Sequence, residues 1–152
     1  MTIQERLKEL GIELPEPPKP VASYLPFVRT GNLISVSGQV SLSTSQAFKG
    51  RVPDQVSLED AILAARLCGI NILAQLSAAL DGDLDRVVRI VKLGGFVNCT
   101  PDFTDQPRVI NGASDLMAEV FGEAGKHSRA AVGASSLPLG VTVEVDALVE
   151  VA

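Results

Sequence analysis

Three side chains near the end of the chain are suited to chemistry on a small charged ligand. They lie in the stretch HSRAAVGASSLPLGVTVEVDALVEV, residues 127 to 151, and are Arg129, Glu144 and Asp146. A guanidinium is a permanent cation whose planar fork of donors matches a carboxylate. A carboxylate, in turn, can orient a water or accept its proton. Val141, Val143, Val145, Ala147 and Val149 alternate with Thr142, Glu144, Asp146, Leu148 and Glu150, so a strand here puts Glu144 and Asp146 on one face. The same alternation describes a solvated sheet face, and Arg129, just after a Gly-Lys-His-Ser loop, equally describes a solvated cation at a strand start. His127 has no Ser or Cys motif beside it and reads as a surface histidine, which leaves a catalytic triad unsupported.

Composition narrows the classes of function. At 152 residues the chain is one domain of ordinary size, and 46% hydrophobic with 20% charged residues is a globular balance. Thirteen basic against eighteen acidic residues give a net charge of −5, the wrong sign for a polyanion partner, and aromatics at 4% leave little for base stacking. No nucleic acid is therefore expected as principal ligand. The N-terminus MTIQERLKEL is charged and amphipathic rather than basic then apolar, and no stretch reads as a membrane span, so a cytoplasmic protein is expected. Two cysteines, Cys68 and Cys99, and one histidine are too few for a disulfide framework or a structural zinc. Two free thiols, no metal and no cofactor are the expectation.

The elements that must position these residues read in a clear order. A short helix over residues 2 to 10 stops at Gly11, and ELPEPPKP (13 to 20) is excluded from regular structure by its prolines, so residues 1–21 form a helix and a Pro-rich arm. Residues 22–152 form the domain proper. YLPFVRTGNLISVSGQV predicts a hairpin turning at Thr30-Gly31-Asn32. The loop after it holds one short strand around Phe48. From Ser57, a cap with an acid three residues on precedes apolar residues at helical spacing through Leu76. LDRVVRIVKLGGFVNC is β-rich. Pro107 suits the first turn of a second helix whose buried side is Val109, Ala113, Leu116, Met117, Val120 and Phe121. Two last strands follow, joined at Leu139-Gly140. The order ββ, α, β, α, ββ predicts an α+β fold, with two helices on one face of a mixed, mostly antiparallel sheet.

With these elements in place the chain resembles the YjgF/RidA (reactive intermediate deaminase, formerly "endoribonuclease L-PSP") family over residues 22 to 151. The hairpin carries Tyr24, then Gly31-Asn32, then Ser37-Gly38-Gln39 at the family's spacing. The middle strand is followed by Asp102-Phe103, Asn111 matches a helix asparagine, and Arg129, Val132, Leu137-Pro138 and Glu144 match R-x-x-V-x-x-x-x-L-P followed by a strand glutamate. The resemblance implies a chorismate-mutase-like fold assembled as a homotrimer, with a ligand cleft between subunits, and the hydrolysis of enamines and imines derived from amino acids to ketoacid and ammonia. In that setting Arg129 binds the substrate carboxylate, Glu144 orients or activates water, and Tyr24, Ser37 and Asn111 shape the cleft. The chain departs from the family where a cysteine two residues beyond the arginine is Ala131, and where an acid two further on is Gly133. The resemblance thus leaves two leading readings, a hydrolase, or a trimer that binds small carboxylate metabolites without turning them over, with a ribonuclease third and a chorismate-mutase-type enzyme of similar fold fourth.

Overall fold

In the computed structural model, residues 1–20 and 22–152 are described. A capping box opens α1 (Ile3–Glu9): the Thr2 hydroxyl accepts from the Glu5 backbone N–H, and the Glu5 carboxylate accepts from that of Thr2 at 2.8 Å. Leu7 enters the core, Asp85 accepts the Ile3 backbone N–H, and Arg6 donates to the Glu119 carbonyl. The proline-rich segment that follows runs along α2 (Leu58–Ala79), where buried Gln75 donates to the Pro18 carbonyl at 2.6 Å.

Strands β1 (Phe27–Thr30) and β2 (Leu33–Val40) form the hairpin, and Gly31 sits at its turn with φ +58°, a conformation that favours glycine. β3 (Val87–Asn98), β4 (Ser128–Ala134) and β5 (Val143–Val151) complete a five-stranded sheet in the order β1-β2-β5-β3-β4. All pairings are antiparallel except β3 with β4. The two last strands are consecutive in the chain but not neighbours in space: β3 lies between β4 and β5. A parallel neighbour requires a crossover, and α3 (Gln106–Phe121) supplies it between β3 and β4. The loop over 41–56 contains no strand at Phe48. Its pairing is reduced to isolated bridges, Leu42 with Ala47, Lys49 with Val141 and Val52 with Cys99.

Along β5, buried Val143, Val145, Ala147, Val149 and Val151 alternate with more exposed Glu144, Asp146, Leu148 and Glu150, because α2 and α3 cover one face only. Small residues let those helices lie close. Ala61, Ala64, Ala65, Cys68 and Gly69 of α2 are buried, and a Cβ on Gly112 of α3 would collide with the Ile62 backbone carbonyl. Ser57 caps α2 through the Asp60 N–H, and Pro107 lies in the first turn of α3. Cys68 and Cys99 are free and buried, and burial pushes the Cys68 thiol well up, away from reactive thiolate. The expectation of no membrane-spanning stretch needs one correction: α2 is long and apolar enough by length and composition, with a mean hydropathy of 1.5 over its best window. Two thirds of that window, 67%, is buried inside the domain, where an all-round apolar helix is a core helix.

Candidate functional site

Glu144 projects from the sheet face that the helices leave open. In register across four strands it stands in a row with Val40, Phe96 and Val132, so an acid occupies an otherwise apolar line. A bulge in β2 between Val36 and Gln39 brings Gly38 against it, and a Cβ there would lie 2.9 Å from the Glu144 carboxyl carbon. The half-buried carboxylate has no hydrogen bond or ion pair among the described residues. Burial first, and then the negative charge of Asp146, hold its pKa above the ordinary glutamate range. That shift brings a carboxylate closer to the range in which it serves as a base at neutral pH.

A cavity of about 210 Å³ opens beside it, lined by Tyr24, Ser37, Gly38, Leu139 and Glu144 together with Lys19 of the arm. The Ser37 hydroxyl donates to the Leu25 carbonyl at 2.7 Å, which holds the chain before β1 against β2 and leaves the Ser37 oxygen able to accept. Tyr24 is 50% exposed. The participation of the arm was not legible in the sequence. Its cause is a buried amide pair, Gln75 and Gln39, that ties the Pro18 carbonyl to the strand carrying Ser37.

Arg129 occupies a second cavity, of about 290 Å³, with Asn111, Ser114, Ala118, Lys126 and His127 among its lining. Asn111 and Ser114 lie one turn apart on α3 and face the same way. Arg129 Nη1 donates to Asn111 Oδ1 at 2.8 Å and to Ser114 Oγ at 3.0 Å, and Nη2 donates to the Pro107 carbonyl at 3.2 Å. None of these partners is an acid. Lys126, by contrast, is paired with Glu123 at 2.7 Å. Three of the five guanidinium hydrogens are thereby used, and Nε with one hydrogen of Nη2 remains without a partner among the described residues.

The five residues singled out in the sequence fall into two groups. Tyr24, Ser37 and Glu144 share one cavity; Arg129 and Asn111 share the other. Arg129 lies in register with Leu93 and Ala147, both on the helix-covered face, whereas Glu144 lies three residues from Ala147 and therefore on the opposite face. A single chain does not bring the two groups together. His127 is not a plain surface histidine either: Nδ1 lies 2.7 Å from the Gly125 carbonyl and Nε2 lies 2.9 Å from Ser114 Oγ. The one sequence signal for Ser114 is its position three residues after Asn111.

Residues 4–151 match the family model described as "YjgF/chorismate mutase-like, putative endoribonuclease". The chain belongs to this YjgF family. Among solved structures of similar proteins, one of unknown function from Agrobacterium tumefaciens is 50% identical with a TM-score of 0.91, over 99% of this chain and 92% of that one. Another, from Shewanella oneidensis, is 32% identical with a TM-score of 0.95, over 99% of this chain and 100% of its own. Protein TCP17 of Trypanosoma cruzi is 45% identical over 150 residues, 97% of this chain and 93% of the relative. Within the YjgF fold the position of Ala131 is on β4, paired with Gly95, and no thiol stands there. A Cβ on neighbouring Gly133 would collide with Cys99, 2.7 Å from its sulfur, so the small residue at 133 is a packing requirement of this chain.

Proposed function

We propose that this YjgF-family protein is a cytoplasmic hydrolase of small imines and enamines that carry a carboxylate, and that it works as a homotrimer in which the Arg129 cavity of one subunit meets the Glu144 cavity of the next. The observation that carries the reading is a complementary pair of unmet needs. Among the described residues, Arg129 is held only by neutral oxygens and keeps two donors free, and Glu144 is a half-buried acid with no donor and a raised pKa. The free donors suit a ligand carboxylate, and the acid suits a water next to it. The apolar row around Glu144, with Val28 at 51% and Val132 at 46% exposure on the same open face, supports a subunit interface there.

In the proposed reaction the carboxylate of an imine is held by Arg129. Glu144 takes a proton from a water as its oxygen bonds to the imine carbon and returns that proton to the nitrogen, giving a neutral carbinolamine. Glu144 then takes the carbinolamine's hydroxyl proton as the carbonyl forms and passes it to the nitrogen, so that the C–N bond breaks and ammonia leaves with a ketoacid behind. An enamine enters the same route once its carbon gains a proton from water and its nitrogen loses one, which makes it the imine. Tyr24 and Ser37 line the water's cavity, and Asn111 fixes the anchor.

Ala131, where the resemblance leads one to expect a cysteine, favours a second reading, a trimer that binds small carboxylates without turnover. Ammonia release from 2-iminobutyrate, generated in place by an amino-acid oxidase or a dehydratase, separates the two. Release faster than the spontaneous background establishes the hydrolase. Pyruvate binding without acceleration establishes the binding protein.

A further inference from the structure

A chain of hydrogen bonds reaches the guanidinium from behind, and its direction follows from chemistry. The Gly125 carbonyl can only accept, so Nδ1 of His127, 2.7 Å away, carries its proton. In the neutral ring Nε2 is then an acceptor, and the Ser114 hydroxyl donates to it at 2.9 Å. With its hydrogen committed, the Ser114 oxygen presents lone pairs to Arg129 Nη1 at 3.0 Å. Every link is ordered, from the backbone at Gly125 through His127 and Ser114 to Arg129. The backbone end is itself rigid: Gly125 is buried, and a Cβ there would collide with the Met117 carbonyl of α3.

We infer that Ser114 and His127 are positioning residues for Arg129, setting which donors of the guanidinium are spent inside the protein and which remain for a carboxylate ligand. The inference rests on the reading of Arg129 as the carboxylate anchor. Nη1 is saturated by Asn111 and Ser114, and the unspent hydrogens belong to Nε and Nη2, the two nitrogens that a carboxylate bridges when it approaches side-on. A guanidinium free to rotate would lose that preference and the entropy of its ordering would fall on binding instead. Nothing in helix formation requires Ser114, since alanine is the better helix former at that position.

The test measures pyruvate affinity by calorimetry in the wild type and in Ser114→Ala, Ser114→Thr, His127→Phe and Arg129→Ala, alongside the ligand-free melting temperature and the Arg129 side-chain NMR signals. Ser114→Ala and His127→Phe are expected to weaken pyruvate about tenfold, the scale of one lost hydrogen bond to a charged group. Ser114→Thr is expected to retain wild-type affinity, and Arg129→Ala to abolish binding. Without ligand, the Nη1 hydrogens of Arg129 are expected to resolve as slowly rotating signals in the wild type and to average in Ser114→Ala. Wild-type affinity in both relay variants, equal loss in Ser114→Ala and Ser114→Thr, averaged Nη1 signals in the wild type, or failure of both relay variants to fold overturns the positioning role. Pyruvate binding that survives Arg129→Ala, or is absent in the wild type, sinks the anchor reading instead, and the ligand-free signals still report whether the relay orders the guanidinium.

Discussion

At Glu144 the carboxyl stands in an apolar row with no donor among the described residues to hold its charge, and replacing it is expected to separate binding from turnover. Glu144→Gln keeps the shape and loses the base, so ammonia release is expected to fall by about a hundredfold or more, with pyruvate affinity unchanged. A variant that hydrolyses imines at the wild-type rate removes Glu144 from the chemistry. The raised pKa makes a second prediction with a definite sign. A folded-state pKa above the unfolded one means that the protonated form favours the fold, so Glu144 contributes stability at low pH that is lost as the pH rises through its folded value. The melting temperature of Glu144→Gln should therefore match the wild type near pH 4 and exceed it increasingly toward neutrality, which thermal scans across that range, starting at about the unperturbed glutamate pKa, will read. An advantage that instead shrinks with rising pH contradicts the burial of the charge. Arg129, Asn111 and Glu144 were visible as sequence positions because they recur in an ordered pattern. The partnership of Ser114 with His127, which the sequence read as a surface histidine, was not, because the bond between them joins a helix to a loop thirteen residues on and leaves no local period.

The two long helices were legible because the apolar run of α2, the amphipathic spacing of α3 and the residues that start each helix are local properties. Ser57 with Asp60 marks the start of α2, and Pro107 the start of α3. The hairpin was legible for the same reason, with Gly31 at its turn. What the local pattern could not convey was that β4 leaves its successor in the chain and pairs in parallel with β3. Such pairing is decided by the length of the α3 crossover and by what packs beneath it, neither of which is written in the strand itself. The close approach of α2 to α3 carries its own prediction. Gly112→Ala drives a methyl into the Ile62 carbonyl, and overpacking against backbone has no flexible side chain to yield. A loss of about 3 kcal/mol is expected, read as a fall in melting temperature of about 10 °C for a domain of this size. A shift below about 2 °C would place the helices farther apart than described.

For the whole molecule, the open sheet face presents an apolar row of the kind a subunit interface covers. Light scattering at micromolar concentration is expected to report a homotrimer, since an interface built on apolar strands is of the obligate kind. A monomer at that concentration removes the shared cleft and the reaction drawn through it. With a net charge of −5, RNA affinity is expected to be weak and to collapse with salt. Tight binding that persists at physiological ionic strength reverses that.

The placement of Arg129 and Glu144 on opposite faces of one sheet has a genetic consequence. In a ring of three, each subunit offers its arginine to one neighbour and its glutamate to the other. Arg129→Ala and Glu144→Gln subunits are each expected to be inactive alone, but where an intact arginine from one meets an intact glutamate from the other, the proposed site is rebuilt. Every mixed ring holds one such junction. Unfolding the two inactive proteins, mixing them in equal amounts and refolding should therefore restore about a quarter of wild-type activity, from random assortment of subunits in a closed ring. Two alleles that fail separately would complement each other within a single gene product, and a site contained in one subunit could never do so.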